Sequence, residues 1–178
     1  PWEAVICAAS AHINVDECGA AERLLGTKLI DVTTVDGKLR PADITAQLGG
    51  VGDMHHVQPR VVSITQSTET GLLYQVDEIG ALAEVAHANG LFLHVDGARI
   101  ANATAALGIP VASATADLGV DVLTFGGTKN GLLYGEAVVF FECDLPEGFR
   151  FISKQGMQLA CMTRFLSAQF LALLEGDR

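Results

Sequence analysis

The sequence predicts a single α/β domain with a mostly parallel sheet flanked by helices. Three observations carry this. Short apolar runs of strand length recur, among them Ala4 to Ala9, Arg60 to Thr65, Leu91 to Val95 and Ala137 to Phe141. Segments of helical period alternate with them: within Asp77 to Ala88, the residues Ile79, Leu82, Ala83 and Ala86 are spaced to share one helix face. Strands that are apolar throughout are buried on both faces, the condition of a parallel sheet between helical layers.

Each element has its own local reason. Ala4 to Ala9 is a short apolar run and reads as a buried strand. Asp16 to Leu25 reads as a helix stopped by Gly26. Lys28 to Val32 is a short strand before a turn at Asp36-Gly37. Pro41 opens a helix reaching Leu48, because the first helical turn has no use for the N–H that proline lacks. Gly49-Gly50-Val51-Gly52 ends it. Asn89-Gly90 caps the helix Asp77 to Ala88, and the strand Leu91 to Val95 follows at once. A helix of small residues spans Arg99 to Leu107. Asp121 to Phe125 and Ala137 to Phe141 are further strands. The last helix is expected over Gly156 to Leu174, with Met162, Phe165, Leu166 and Phe170 on one face. Met157, Met162, Phe165 and Phe170 read as core or interface residues.

Composition narrows the function classes. Of 178 residues, 49% are hydrophobic and 18% charged, with a mean hydropathy of +0.34. That excludes a disordered chain. No apolar run reaches the ~20 residues of a membrane span, so no integral membrane protein is expected. Eleven basic residues stand against 21 acidic ones, a net charge of -10. The basic residues are scattered singly, which speaks against a nucleic-acid partner. Cys7, Cys18, Cys143 and Cys161 form no C-x-x-C pair and read as reduced, mostly buried thiols of a cytoplasmic protein. No signal peptide is read. The chain starts at Pro1 and ends on an unfinished helix, so a segment of a longer protein is expected.

In a parallel sheet the ligand crevice lies beyond the carboxyl ends of the strands. Three strand ends carry reactive side chains there: Ser10-Ala11-His12, His94-Val95-Asp96-Gly97-Ala98-Arg99 and Gly126-Gly127-Thr128-Lys129-Asn130-Gly131. One aromatic ring, one carboxylate and one lysine at separate strand ends fit a pyridoxal 5'-phosphate site. The amine forms a Schiff base with the cofactor aldehyde. The acid keeps the pyridine nitrogen protonated. The ring stacks on the cofactor, and an arginine binds the substrate carboxylate as a fork. Blander readings stay open. An Asp after a strand is often a turn or cap residue, a lysine in a Gly-rich loop is often solvated, and His12 is often a polar loop residue.

Other patterns lead elsewhere. Gly49 to Gly52 lacks the G-x-G-x-x-G spacing, and Gly126 to Lys129 lacks the P-loop frame, so no nucleotide site is read. Asp53, His55 and His56 read as a solvated loop, with no further metal ligand placed by spacing. His94 and Asp96 share a strand face, and a carboxylate–imidazole contact is expected between them.

The motifs HVDGAR (94–99) and GGTKNG (126–131), with the stretches Ser10 to Leu29 and Gln58 to Tyr74, resemble the threonine aldolase and β-eliminating lyase family. The resemblance covers essentially the whole chain, in order. It implies a large cofactor domain of the aspartate-aminotransferase type, with pyridoxal 5'-phosphate as cofactor. Lys129 is then the Schiff-base lysine, Asp96 bonds the pyridine nitrogen, and His12 stacks on the ring. Arg99 lies at the cofactor and the substrate carboxylate, and Thr128 is a further candidate cofactor contact. The implied reaction cleaves a β-hydroxy-α-amino acid such as L-threonine to glycine and an aldehyde, with His12 as one base for the β-hydroxyl proton. A homodimer or homotetramer is implied. β-Elimination and racemisation share Lys129 and Asp96 and stay open, as does a catalytically silent scaffold. Residues 1–178 correspond to part of the large domain. The family's N-terminal phosphate-holding segment and its C-terminal small domain are expected outside it. Thr68-Glu69-Thr70-Gly71 departs from the Asn-Thr-His-Asn-Gly pattern of some members, so that loop lacks a second histidine.

Overall fold

A computed structural model describes residues 2–141 and 147–175. Its centre is one six-stranded sheet. The strands are β1 (Glu3–Ala8), β2 (Lys28–Val32), β3 (Gln58–Thr65), β4 (Phe92–Gly97), β5 (Val122–Phe125) and β6 (Ala137–Phe140). Their order is β2-β1-β3-β4-β5-β6. All neighbouring pairs are parallel except β5 with β6, which is antiparallel. The chain leaves β1 to one side for β2 and returns to the other side for β3. The β1–β3 boundary is therefore the point where the winding reverses, and there the loops diverge and open a crevice.

The helices are α1 (His12–Val15), α2 (Ala20–Leu25), α3 (Pro41–Ala46), α4 (Val76–Ala88), α5 (Ile100–Leu107), α6 (Phe149–Gln155) and α7 (Arg164–Leu174). The core lies between sheet and helices. Ile6, Val62, Leu93 and Val95 of the strands are buried with Ile79, Leu82 and Ala86 of α4. The apolar stripe of α4 is thus the buried face that its spacing predicts. A capping box begins this helix: Gln75 N–H donates to Glu78 Oε2 at 2.7 Å, satisfying a donor that the helix leaves open. Among the described residues, no helix is long and apolar enough to cross a membrane.

Four expectations need correction. The helix expected over Asp16 to Leu25 is shorter, because Cys18 and Gly19 take positive φ (51° and 69°) and the helix can begin only at Ala20. The last helix is shorter than the expected Gly156 to Leu174: positive φ at Met157 and Met162 keeps the stretch before Arg164 irregular, only α7 is helical within it, and α6 is a separate helix that ends at Gln155. Met157, Met162 and Phe165 are exposed and form no part of the core. The inward face of α7 is Leu166, Phe170 and Leu173, with Phe170 tilted against Phe125 at 6.2 Å between ring centroids. The thiols are not mostly buried. Cys7 is enclosed in β1, while Cys18 and Cys161 sit in exposed irregular segments. Cys143 lies outside the described residues.

Candidate active site

The four strand ends nearest the crevice carry the candidate residues. His12 opens α1, four residues after β1 ends. Its Nδ1 lies 2.8 Å from Glu17 Oε1. A carboxylate can only accept, so Nδ1 is the donor of this contact, and Nε2 is the ring nitrogen turned to other partners.

Asp96 belongs to β4, which runs further than the sequence predicts and holds it in register between Thr65 of β3 and Thr124 of β5. Its Oδ1 accepts the Ala98 N–H at 2.9 Å, the turn role a strand-end aspartate often plays. Its Oδ2 takes no hydrogen bond from the described residues, so the carboxylate has one oxygen committed and one available. Arg99 stands at the N-terminus of α5. Its Nη1 is 3.8 Å from Glu69 Oε2, in the loop after β3.

Lys129 ends a single 3-10 turn, Gly127–Lys129, just beyond β5. Its side chain is exposed, and its ammonium has no ion-pair partner among the described residues. The backbone beneath it is pinned: Lys129 N–H donates to Gly126 O at 2.9 Å, and Thr128 N–H donates to Gly135 O at 3.0 Å. Thr128 Oγ1 accepts the Gly135 N–H at 3.1 Å. This hydroxyl therefore holds its own loop together and has only its O–H left to donate.

Beneath Asp96 lies a polar ladder of the same sheet face. Ser63 Oγ is 2.9 Å from His94 Nδ1, and His94 Nε2 is 3.3 Å from Thr124 Oγ1. The contact expected between His94 and Asp96 is electrostatic, since both ring nitrogens are engaged with these hydroxyls. Residues two apart on a strand point the same way, but their side chains meet cross-strand neighbours first. Burial lowers the His94 pKa, and the negative charge of Asp96 opposes that shift. The imidazole therefore favours its neutral form.

Asp53, His55 and His56 form the exposed loop that was expected, with Asp53 Oδ1 accepting the His55 N–H at 2.9 Å and Oδ2 3.2 Å from His56 Nδ1. Among the described residues no group of three or more His, Cys, Asp and Glu side chains could hold a metal ion.

Two residues of this site escape a reading of the sequence. Glu69 is visible there only as a missing histidine, not as the partner of Arg99. Asn130 is visible only as a motif letter, although its carboxamide touches both reactive loops. Neither contact has a local signal, because the partners are about thirty residues away in the chain.

Fold and site together define a class: a doubly wound α/β domain whose strand ends carry an unpaired amine, a half-free carboxylate, an imidazole and a guanidinium. More particularly, the chain belongs to the beta-eliminating lyase family, whose model matches residues 1–175. It is 46% identical over 177 residues to a low specificity L-threonine aldolase of Pseudomonas aeruginosa, covering 99% of this chain and 51% of that protein. A protein of the same description from a Pseudomonas sp. is 47% identical over 175 residues, covering 98% and 51%. Among solved structures, the threonine aldolase of Leishmania major superposes with a TM-score of 0.80 at 36% identity, covering 87% of this chain and 45% of that one. The chain spans about half the length of the curated relatives it matches.

Proposed function

We propose that the protein carrying this chain is a pyridoxal 5'-phosphate-dependent aldolase that cleaves β-hydroxy-α-amino acids such as L-threonine to glycine and an aldehyde. The observation that supports this most is the donor set at the strand ends. Asp96 has a free carboxylate oxygen at the end of β4, and Lys129 has an unpaired amine beyond the adjacent β5. The backbone between them is bare: a Cβ on Gly126 would lie 2.6 Å from Ala98 Cα. These residues fit the cofactor. The similarity to low specificity L-threonine aldolases supports the substrate class. Residues 1–178 are read as part of the cofactor-binding domain.

When bound, pyridoxal 5'-phosphate supplies an electron sink for the electron pair left at the substrate Cα. Lys129 would hold the aldehyde end of the cofactor through Nζ. Asp96, whose Oδ2 has no partner among the described residues, would hold the pyridine nitrogen and keep a proton on it. Arg99 offers its guanidinium fork to the substrate carboxylate. His12 would flank the ring, and its Nε2, the nitrogen not engaged with Glu17, would be the atom to accept the β-hydroxyl proton. Thr128 contributes at most its O–H, since its oxygen already holds Gly135. A cytoplasmic homodimer or homotetramer is part of the proposal. Exposed Leu133, Tyr134, Phe151 and Ile152 support association.

The test is an assay of the full-length gene product with L-threonine, following glycine and acetaldehyde with and without added cofactor. Cofactor-dependent release of both products in equal amounts is expected. Ammonia and a keto acid in their place would favour β-elimination, and inversion at Cα alone, giving the D-allo diastereomer, would favour racemisation. Asp96→Asn should lower turnover by about a hundredfold or more, as expected when a charged partner of the electron sink becomes neutral.

A further inference from the structure

We propose that Asn130 is the positioning residue that sets the spacing between Lys129 and Asp96. The inference rests on the reading of those two residues as cofactor ligands and adds to it the part that holds them in place.

The geometry is specific. Asn130 follows the 3-10 turn that ends in Lys129. Its Nδ2 donates to Gly126 O at 2.6 Å and to Ala98 O at 3.1 Å, with Gly97 O at 3.4 Å. Its Oδ1 accepts the Ala101 N–H at 2.9 Å, in the first turn of α5. One carboxamide thus joins the carboxyl end of β5 to the segment Gly97-Ala98 directly after Asp96 and to the helix following it. It also satisfies one of the amide donors that the start of α5 leaves open.

The surrounding backbone shows why a small planar amide is needed. Gly126 N–H donates to Gly97 O at 3.3 Å, so the two segments are already in backbone contact. A Cβ on Gly97 would lie 2.9 Å from Thr124 O, and one on Gly126 would lie 2.8 Å from Ala98 O. No side chain separates the segments. Their spacing is set by hydrogen bonds, and Asn130 supplies most of those that cross. An amide has both donor and acceptor, which this position uses at once. Aspartate would set a carboxylate oxygen against the Gly126 and Ala98 carbonyls, and alanine would leave the Ala101 N–H open.

Asn130 touches neither the amine nor the carboxylate, so its effect is on their mutual placement. A misplacement of about 1 Å between reacting groups costs on the order of a hundredfold in rate without weakening binding to match. Loss of the amide should therefore appear in kcat more than in KM. It should also change the electrostatic setting of the Lys129 nitrogen, and with it the pH midpoint of the bound cofactor's visible band.

The experiment compares Asn130→Ala and Asn130→Ser with the parent in the full-length protein. Three quantities are read: amide hydrogen exchange at Ala101 in the cofactor-free protein, the pH midpoint of the visible band after adding cofactor, and kcat with KM for L-threonine. Asn130→Ala should raise exchange at Ala101 about tenfold or more. It should move the band's midpoint by about half a pH unit or more and lower kcat about ten- to a hundredfold, with KM within about threefold. Serine keeps one hydrogen-bonding group and should fall between. If exchange at Ala101 rises while midpoint and kcat stay at parental values, Asn130 is only a loop staple and the proposal is overturned. If the parent shows no visible band, the cofactor reading fails and this inference with it. The exchange data would still report the hydrogen bonds, so the two failures are distinguishable. Should alanine prevent folding, serine decides by the same measurements. Failure of both to fold would make Asn130 a folding residue and overturn the positioning role.

Discussion

Arg99 Nη1 lies 3.8 Å from Glu69 Oε2, so the guanidinium after β4 faces a carboxylate from the loop after β3. That separation is too long for a hydrogen bond. The pair contributes charge and little orientation. A substrate carboxylate arriving at Arg99 would compete with the negative charge already there. Partly exposed pairs of this kind are worth about 0–1 kcal/mol, so Glu69→Gln should lower KM for the amino acid by at most about fivefold, with kcat retained. Arg99→Lys should raise KM by about tenfold, because an ammonium cannot form the planar fork. Steady-state kinetics on the full-length protein checks both. A clear rise in KM for Glu69→Gln would mean that the carboxylate orients Arg99 instead.

Gly126 separates a packing requirement from a general tolerance for alanine. A Cβ there would sit 2.6 Å from Ala98 Cα and 2.8 Å from Ala98 O, both backbone atoms that cannot swing aside. Gly126→Ala must push the Lys129 loop away from the segment after Asp96. A destabilisation of about 1–3 kcal/mol is expected from the overpacking, together with loss of most activity. Gly49→Ala is the control, since nothing lies within 4 Å of its Cβ position. Denaturant unfolding and turnover of the two variants should differ sharply. Equal behaviour would refute the claim that the loops are in backbone contact.

The elements legible in the sequence are those whose own residues decide them. Helix α4 has its apolar spacing, and Pro41 marks the first turn of α3. The strand runs of β1, β3 and β4 are apolar enough to admit only a buried sheet. The strand-end motifs then place Asp96 and Lys129 on neighbouring β4 and β5, one at its strand's carboxyl end and one just beyond it. Other features depend on tertiary partners. Cys18 and Met157 carry no sequence mark of a left-handed conformation, so the breaks in the first and last expected helices are invisible locally. Met162 and Phe165 fit a helical stripe, yet the sheet meets α7 through Phe170 and Phe125. The link from Asn130 to Ala98 spans 32 residues of sequence, and no local pattern encodes it.

Burial lowers the His94 pKa, and this has a pH consequence of definite sign. Below about pH 6.5 an unfolded histidine takes up a proton that the folded imidazole resists. The contribution to stability is full above that pH and declines as pH falls. Replacing the ring in His94→Asn removes this dependence. Urea unfolding at pH 7.5 and 5.5 should show a smaller loss on acidification for the variant than for the parent. Groups common to both proteins cancel in that comparison. An equal or larger loss in the variant would contradict the buried neutral imidazole.

Lys129 carries the central claim, and a covalent mark tests it most directly. The full-length protein is saturated with pyridoxal 5'-phosphate, reduced with borohydride and digested, and the modified peptide is identified by mass. Lys129 is expected to bear the cofactor, because it follows the carboxyl end of β5, is exposed and is unpaired among the described residues. Lys38, by contrast, is engaged with Glu78 and with Leu73 O. Stoichiometric label on Lys129 is the predicted result. Label on Lys28, Lys38 or Lys154, with Lys129 unmodified, would contradict the account.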